Sequence, residues 1–328
     1  MKVTLGDVAE NAGVSQATAS RVLNGKDGVS QLTRSAVISA ANTLGYRRAQ
    51  TRKGRVIGVV VPELVNPIFG TFAHRLATSL AQSGHTPVLC SQTVGGVSED
   101  DWVEILLERE MAGLIVVSGH HADSHAGSDR YQRLIDRHIP LVLVNGRVEG
   151  LDAVFVSADD EDAMNLAVSH LKELGHEKIG LAAGPEHYVP VIAKVRGFRA
   201  ALGTRTAPVE HSLFTIEGGR AAALALLDRG ITAIVCASDL MALGAIEASR
   251  SRGLRVPRDV SVVGYDDSPM MAFTDPALTT VRQAVPAMCN VAVRALLEQV
   301  AGRSLPKQEY VFRPELVVRG STGAMRKQ

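Results

Sequence analysis

The sequence predicts an α/β protein in two parts, a small three-helix head and a larger body in which short apolar strands alternate with helices. Three observations predict it. Residues 3–46 carry helical periodicity with clear end signals and no strand pattern. From Val56 onward, apolar runs of four to six residues such as Val56–Val61, Gly113–Val117 and Leu141–Val144 are separated by helical stretches, the signature of parallel sheets covered on both faces. Charge divides at the same boundary. Residues 1–55 hold nine Lys/Arg against three acids, a balance of +6, in a chain whose net charge is +1.

In the head, Thr4 can cap a first helix, with Asp7 three residues on favouring its exposed N–H groups. Leu5, Val8, Ala9 and Ala12 fall on one face. Gly13 follows where a helix ends in a left-handed residue. Ser15 caps a second helix, Gln16 to Leu23, which stops at Asn24-Gly25. A third helix runs from about Ser30 to Leu44, with Ser30 or Thr33 at its start, Gly45 at its end, and Ala36, Val37, Ala40, Ala41 and Leu44 as its packing face. Tyr46 ends the head. Two short helices joined by a tight turn put the N-terminus of the second into a DNA major groove, and a basic head on an acidic body is the electrostatic footprint of a nucleic-acid module fused to something else.

Residues 47–55 (RRAQTRKGR) form a short basic linker without leucine. Such a segment can track phosphates or lay Arg into a narrow minor groove.

In the body, helices are expected over 67–82, 101–110 and 130–137, with strands at 56–61, 87–89, 113–117 and 141–144. A crossover near Asp152–Asp159 restarts the alternation. The second half has helices over 164–174, 195–202, 219–228 and 240–252, and strands at 178–182, 213–215, 233–236 and 261–263. The boundary between halves lies near 150–160, and a late crossover near 280–290 leads to a helix opened by Pro286, with Val293, Leu296, Leu297 and Val300 as its buried side. Ligands of open parallel sheets sit beyond the strand C-termini. That rule selects residues 62–66, 118–121, 145, 184–188, 238–239 and 265–267. Among them are planar amides, carboxylates and an aromatic ring, which suit sugar hydroxyls and a C–H face.

The head segment TLGDVAENAGVSQATASRVLNG resembles the start of the LacI/GalR family of bacterial transcription regulators. The likeness continues in order through NPIF, LGHEKIGLAAGP, RGFRAAL, TAIVCASDLMALGAI and DVSVVGYDDS. Within the family, the body is most similar to actinobacterial regulators of maltose and α-glucan use. The resemblance implies a helix-turn-helix DNA-binding head (1–46), the linker (47–55) and a periplasmic-binding-protein-like body (56–328) that binds an effector and dimerises. It places Gln16 and Ala17 at the base-reading positions, with Arg21 one turn on; Gln suits adenine, Arg suits guanine and an Ala methyl suits thymine. Ser15, Thr18 and Asn24 suit phosphates, and Thr4, Ser30, Thr33, Tyr46, Arg47 and Arg48 complete the DNA-facing set. Relatives usually have a longer connector whose Leu wedges into the minor groove; this chain departs from that pattern. For the effector, the resemblance implies Asn66, Phe69, Asn145 and Asp266. Lys194 stands where Arg is common and Ser238 where Asn is frequent. Ser118 and Tyr188 join them from the strand-end rule.

The function expected is a sequence-specific regulator, a repressor of carbohydrate-use genes whose operator affinity is changed by a maltose-like sugar. The alternative is control by a protein co-regulator or a non-sugar molecule. Partners are pseudo-palindromic operator DNA, the effector and a second copy. A dimer is favoured over a tetramer because the C-terminus lacks leucine heptads. Enzyme motifs are missing: no GxGxxG after the first strand, no GxxxxGK[ST], no GxSxG. No cofactor is implied. His120, His121, Asp123 and His125 read as a solvated loop rather than a metal site. Of Asp266 and Asp267, one is expected to meet ligand and the other to be structural. Three distant cysteines, no apolar leader and no apolar run of about eighteen residues point to a cytoplasmic protein.

Overall fold

Thr4 starts the first helix through a reciprocal cap: its hydroxyl accepts from Asp7 N at 3.3 Å, and its own N–H donates to Asp7 Oδ2 at 2.7 Å. These bonds hold the Asp7 carboxyl below its usual range. The computed structural model describes residues 3–23, 28–44, 56–92, 95–303 and 306–325, and the chain divides into two compact units, 1–52 and 53–328.

The first unit holds α1 (Leu5–Asn11), α2 (Gln16–Leu23) and α3 (Gln31–Thr43). Gly13 takes the left-handed conformation at φ +65°, and Val14 N then bonds Ala9 O at 3.0 Å, turning the chain between α1 and α2. Ser15 caps α2 at Thr18 N (3.1 Å), and Ser30 caps α3 at Thr33 N (3.2 Å). Val8, Ala9, Ala19, Val22, Val37, Ala40 and Ala41 form the core, with Leu5, Ala12 and Leu44 at its margin. Ala36 is exposed rather than part of this face; the buried stripe of α3 runs through Val37, one residue, about 100° of helix, further round. Gly45 and residues 46–55, expected to close α3 and form the linker, lie outside the described residues.

The second unit contains β1 (Val56–Val61), α4 (Pro67–Gln82), β2 (Thr86–Ser91), α5 (Glu99–Glu108), β3 (Gly113–Val117), α6 (Asp129–Asp136), β4 (Leu141–Val144) and β5 (Val154–Ala158). There follow α7 (Asp160–Glu173), β6 (Ile179–Ala183), α8 (Val189–Leu202), β7 (Val209–His211), α9 (Ile216–Asp228), β8 (Ala233–Cys236), α10 (Asp239–Ser251) and β9 (Ser261–Asp266). The chain ends with β10 (Thr279–Arg282), α11 (Val285–Val300), β11 (Glu309–Phe312) and β12 (Glu315–Val317). Two sheets result, ordered β11-β5-β4-β3-β1-β2 and β12-β10-β9-β8-β6-β7, parallel except for the β10/β12 pair. Both faces of each sheet are covered, which is why most strands read as unbroken apolar runs. In the first, Phe72, Leu76 and Leu80 of α4 join Met288 and Leu296 of α11 on one side; Val103, Leu106, Tyr131 and Leu134 of α5 and α6 fill the other. In the second, α9 and α10 lie on one face and α7 and α8 on the other.

Three expectations about the body are corrected. The segment 152–159 is not merely a connector, because Val154–Ala158 is a strand between β4 and β11; its alternation of Val, Phe and Ser hid a fully covered strand. The strand expected at 213–215 lies at Val209–His211, and Thr215 instead caps α9 by accepting from Gly218 N at 3.0 Å. Helix α8 begins six residues earlier than expected, with Pro190 in its first turn.

The chain passes between the two halves of the body three times, at β5 to α7, at β10 to α11 and at β11 to β12. All three passages lie along one edge of the sheets, since β11 and β5 end the first order and β12 and β10 end the second.

Candidate functional site

In the head, α2 presents Ser15, Gln16, Ala17 and Arg21 to solvent, with Thr18 half-buried. The Ser15 and Thr18 hydroxyls are 2.9 Å apart, as are, at 2.8 Å, those of Ser30 and Thr33. Thr4, Ser15 and Ser30 each cap a helix, so their backbones fix the helix N-termini, where N–H groups face outward. Gln16 reaches back over α1: a Cβ on residue 6 would lie 2.8 Å from Gln16 Nε2, so Gly6 makes room for that amide. Asn24, Tyr46, Arg47 and Arg48 lie outside the described residues.

In the body, the loops leaving the C-terminal ends of the strands enclose a cavity of about 1040 Å³. Its lining includes all eight residues singled out from the sequence: Asn66, Phe69, Ser118, Asn145, Tyr188, Lys194, Ser238 and Asp266. Asn66 and Ser238 also cap α4 and α10, bonding Ile68 N (3.3 Å) and Met241 N (3.2 Å). Asn145 Nδ2 donates to Ser118 Oγ at 3.2 Å. Backbone strain gathers here. Ser118, Asn145, Asp266 and Asp267 have φ values of +46°, +64°, +119° and +56°, each costing on the order of 1–3 kcal/mol in a non-glycine residue. Strand ends bent in this way aim side chains that a regular strand would send to alternate faces.

The floor on the second sheet is polar. Gln283 Nε2 donates to Asp266 Oδ1 at 2.7 Å. Burial and the neighbouring Asp239 push the Asp266 carboxyl well above its ordinary range, with Gln283 and Lys194 opposing. Lys194 Nζ and the Tyr265 hydroxyl both bond Asp160 Oδ1, at 2.5 and 2.6 Å. Lys194 also stands 3.9 Å over the Tyr265 ring centre. Asp267, by contrast, turns away to Arg282 and Arg319, each at 2.7 Å. Beyond β6 and β7 of the same sheet the lining is apolar: Tyr188 lies 6.4 Å from Phe214 between ring centres, and Leu213, Pro185 and Pro190 also line the cavity. Gly184 permits this, because a Cβ there would sit 2.1 Å from Phe214 Cζ. Asp160, Phe214, Gln283 and Gln92 also line the cavity and were not selected from the sequence. Asp160, Phe214 and Gln283 follow β5, β7 and β10, so the strand-end rule would have found them had those strands been placed correctly.

Behind the floor, Asp239 accepts from Ser268 N (2.7 Å) and Thr280 Oγ1 (2.6 Å), yet burial pushes its pKa up to about 6. A carboxyl raised on folding keeps a proton that the unfolded chain has lost. Its contribution to stability is therefore largest below 3.8 and declines as pH rises through about 6. Asp239→Asn is expected to flatten the dependence of Tm on pH between about pH 4 and 6. Thermal unfolding of both proteins across that range, with parallel curves as the contrary result, tests it.

The histidine-rich segment is not a solvated loop throughout. His120–Ala122 form a 3-10 turn around the buried Glu99. Glu99 Oε2 accepts from His120 N (2.9 Å) and Gln92 Nε2 (3.1 Å), and Tyr131 Oη donates to Oε1. His121 is buried, bonds Val144 O at 2.9 Å, and has its pKa lowered by burial. Beyond the turn, Ser124 N and Oγ donate to His187 O across the cleft mouth at 2.9 and 2.7 Å, and the His125 and His187 rings stack at 5.2 Å. Among the described residues no group of three or more His, Cys, Asp or Glu could hold a metal ion.

Residues 4–49 match the sequence profile of bacterial regulatory proteins of the lacI family, and residues 168–322 match that of the periplasmic binding protein-like domain. The chain is 53% identical, over 99% of its length and 98% of the relative's, to the HTH-type transcriptional regulator MalR of Streptomyces coelicolor. The chain belongs to the LacI family. This LacI-family protein is a DNA-binding transcription regulator, not an enzyme, and the relationship agrees with its resemblance to actinobacterial maltose regulators. Among solved structures, the LacI-family chain is similar to the lac repressor dimer bound to operator and the anti-inducer ONPF (TM-score 0.86, 29% identity, 99% of this chain and 100% of that one). It is also similar to the transcriptional regulator CelR in complex with cellobiose (TM-score 0.73, 32% identity, 97% and 99% covered). No described helix of this regulator is long and apolar enough to cross a membrane.

Proposed function

We propose that this regulator is a homodimeric repressor of carbohydrate-use genes whose operator affinity is changed by an α-glucoside, maltose or a related sugar, bound in the cavity. The observation that carries the reading is the pairing of a polar floor with an apolar wall. Asp266 with Gln283, and Asn145 with Ser118, offer amide and carboxylate groups to ring hydroxyls, while Tyr188 and Phe214 offer aromatic faces to ring C–H groups. Asn66, Phe69, Lys194 and Ser238 complete the set. The cellobiose complex of CelR supports a saccharide as ligand. For the effector to matter, it must bind one arrangement of the two halves better than the other.

On the DNA side, Gln16, Ala17 and Arg21 read bases, Ser15, Thr18 and Asn24 set register on phosphates, and Thr4, Ser30, Thr33 and Tyr46 complete the set with Arg47 and Arg48, whose linker tracks phosphates or lays Arg into a narrow minor groove. A dimer follows from the duplex: two recognition helices must meet half-sites about 34–36 Å apart, or a multiple of that. The head spans 1–46, the basic linker 47–55 and the body 56–328.

Retention of the chain's own upstream DNA by the purified protein, with sugars titrated in, tests the proposal. Release or tightening by one α-glucoside is the expected result; retention indifferent to every sugar would move control to a protein partner or another ligand. Gln16→Ala is expected to relax operator preference, costing about 1–3 kcal/mol at one base pair while leaving binding to random DNA nearly unchanged. Equal losses on operator and random DNA would reassign Gln16 to phosphate contact.

A further inference from the structure

Four charged residues line the cavity among those described: Glu63, Asp160, Asp266 and the single cation Lys194. Lys194 is 4% exposed, and its ammonium is committed to Asp160. The commitment is built on three sides. Asp160 stands in the first turn of α7, fixed by the cap in which Asp159 accepts from Asp162 N at 3.0 Å. The Tyr265 hydroxyl donates to the same oxygen that Lys194 bonds. The Tyr265 ring lies under the ammonium. With Lys194 neutralised, the other ionisable groups facing a ligand are the carboxyls of Glu63 and Asp266. An uncharged polyol can bond its hydroxyls to them, whereas an anion meets carboxyl oxygens and no unpaired cation.

We infer that Asp160 sets the charge class of the effector, making the cavity a receptor for uncharged saccharides and closing it to phosphorylated ones. The inference rests on the cavity being the effector site. Lys194 then acts as a positioning group for Asp160 and Tyr265 rather than as the counter-ion of a bound anion. The residue that decides the matter is the partner of Lys194, because a lysine freed from its carboxylate in a buried pocket is an anion receptor.

Calorimetry with the full-length protein, maltose and maltose 6′-phosphate tests this. The wild-type protein is expected to bind maltose at least about a hundredfold more tightly, since burying an anion without a paired cation costs several kcal/mol. Asp160→Asn, which keeps the shape and removes the charge, is expected to narrow that ratio at least about tenfold, chiefly by gaining the phosphorylated sugar. A role confined to folding would lower both affinities together and leave the ratio alone. Equal binding of the two sugars by the wild-type protein overturns the role of Asp160 but leaves the saccharide reading standing; so does a folded Asp160→Asn with an unchanged ratio. If that variant does not fold, Asp160→Ser, which also removes the charge, is read in its place, and an unchanged ratio there overturns the role of Asp160. A wild-type protein that takes neither sugar overturns the effector reading and this inference with it.

Discussion

Asp266→Ala should abolish the response to the sugar while operator affinity without sugar stays near the wild-type value. The carboxylate is buried at the end of β9, bonded to Gln283 and facing the cavity. Its removal takes away the hydroxyl acceptor and leaves the Gln283 amide without its partner. Leaving a buried donor without its acceptor costs about 1–3 kcal/mol, which corresponds to a loss of about fivefold to about a hundredfold in ligand affinity, as about 1.4 kcal/mol is tenfold. The recognition helix belongs to the other compact unit, so its surface is untouched. Calorimetry with the sugar and operator retention in its presence give the two readouts. An intact response would remove Asp266 from the ligand site, and lost operator binding in the absence of sugar would make it a folding residue.

The second large effect concerns stability. A Cβ on residue 244 would lie 2.0 Å from Ile216 O and 2.6 Å from Arg220 N, both backbone atoms of α9. Gly219, on α9, faces α10 in the same way, with Met241 O 2.2 Å from its would-be Cβ. No side chain can swing aside, so α9 and α10 would have to separate and open the core around Leu226, Ala242 and Ala245. Gly→Ala inside a helix ordinarily gains about 1 kcal/mol. Here overpacking reverses the sign, and Gly244→Ala is expected to cost about 3 kcal/mol or more. Urea unfolding monitored by circular dichroism measures it; an unchanged or higher midpoint would mean that the two helices tolerate a wider spacing.

Much of this architecture is legible in the chain. Caps at Thr4, Ser15 and Ser30 mark the head helices because a cap is a local bond between residues three apart. Strands β1, β3, β4 and β8 are visible because burial on both faces leaves no polar residue inside them. Less regular strands are harder to see. Strand β5 carries a serine, β7 has three residues and stands at an edge, and β10 mixes threonines with an arginine. Asp160, Phe214 and Gln283 follow those three strands and so escaped notice. The commitment of Lys194 to Asp160 escaped for a different reason: the two residues are 34 positions apart, and only the packing of α7 against α8 brings them together.

The three passages along one edge of the body make it a pivot with a short lever arm. Asp160 lies just after the first passage and Gln283 within the second, and both line the cavity. A molecule that grips these two residues therefore pulls close to the axis, where small displacements govern large ones at the rim. At the rim, the halves meet through the Ser124 bonds to His187 O, the stacked His125 and His187 rings and the bridge between Asp123 and Tyr188. Covalent passages thus join the halves at one edge while hydrogen bonds join them at the mouth, and hydrogen bonds form and break far more readily than the chain itself.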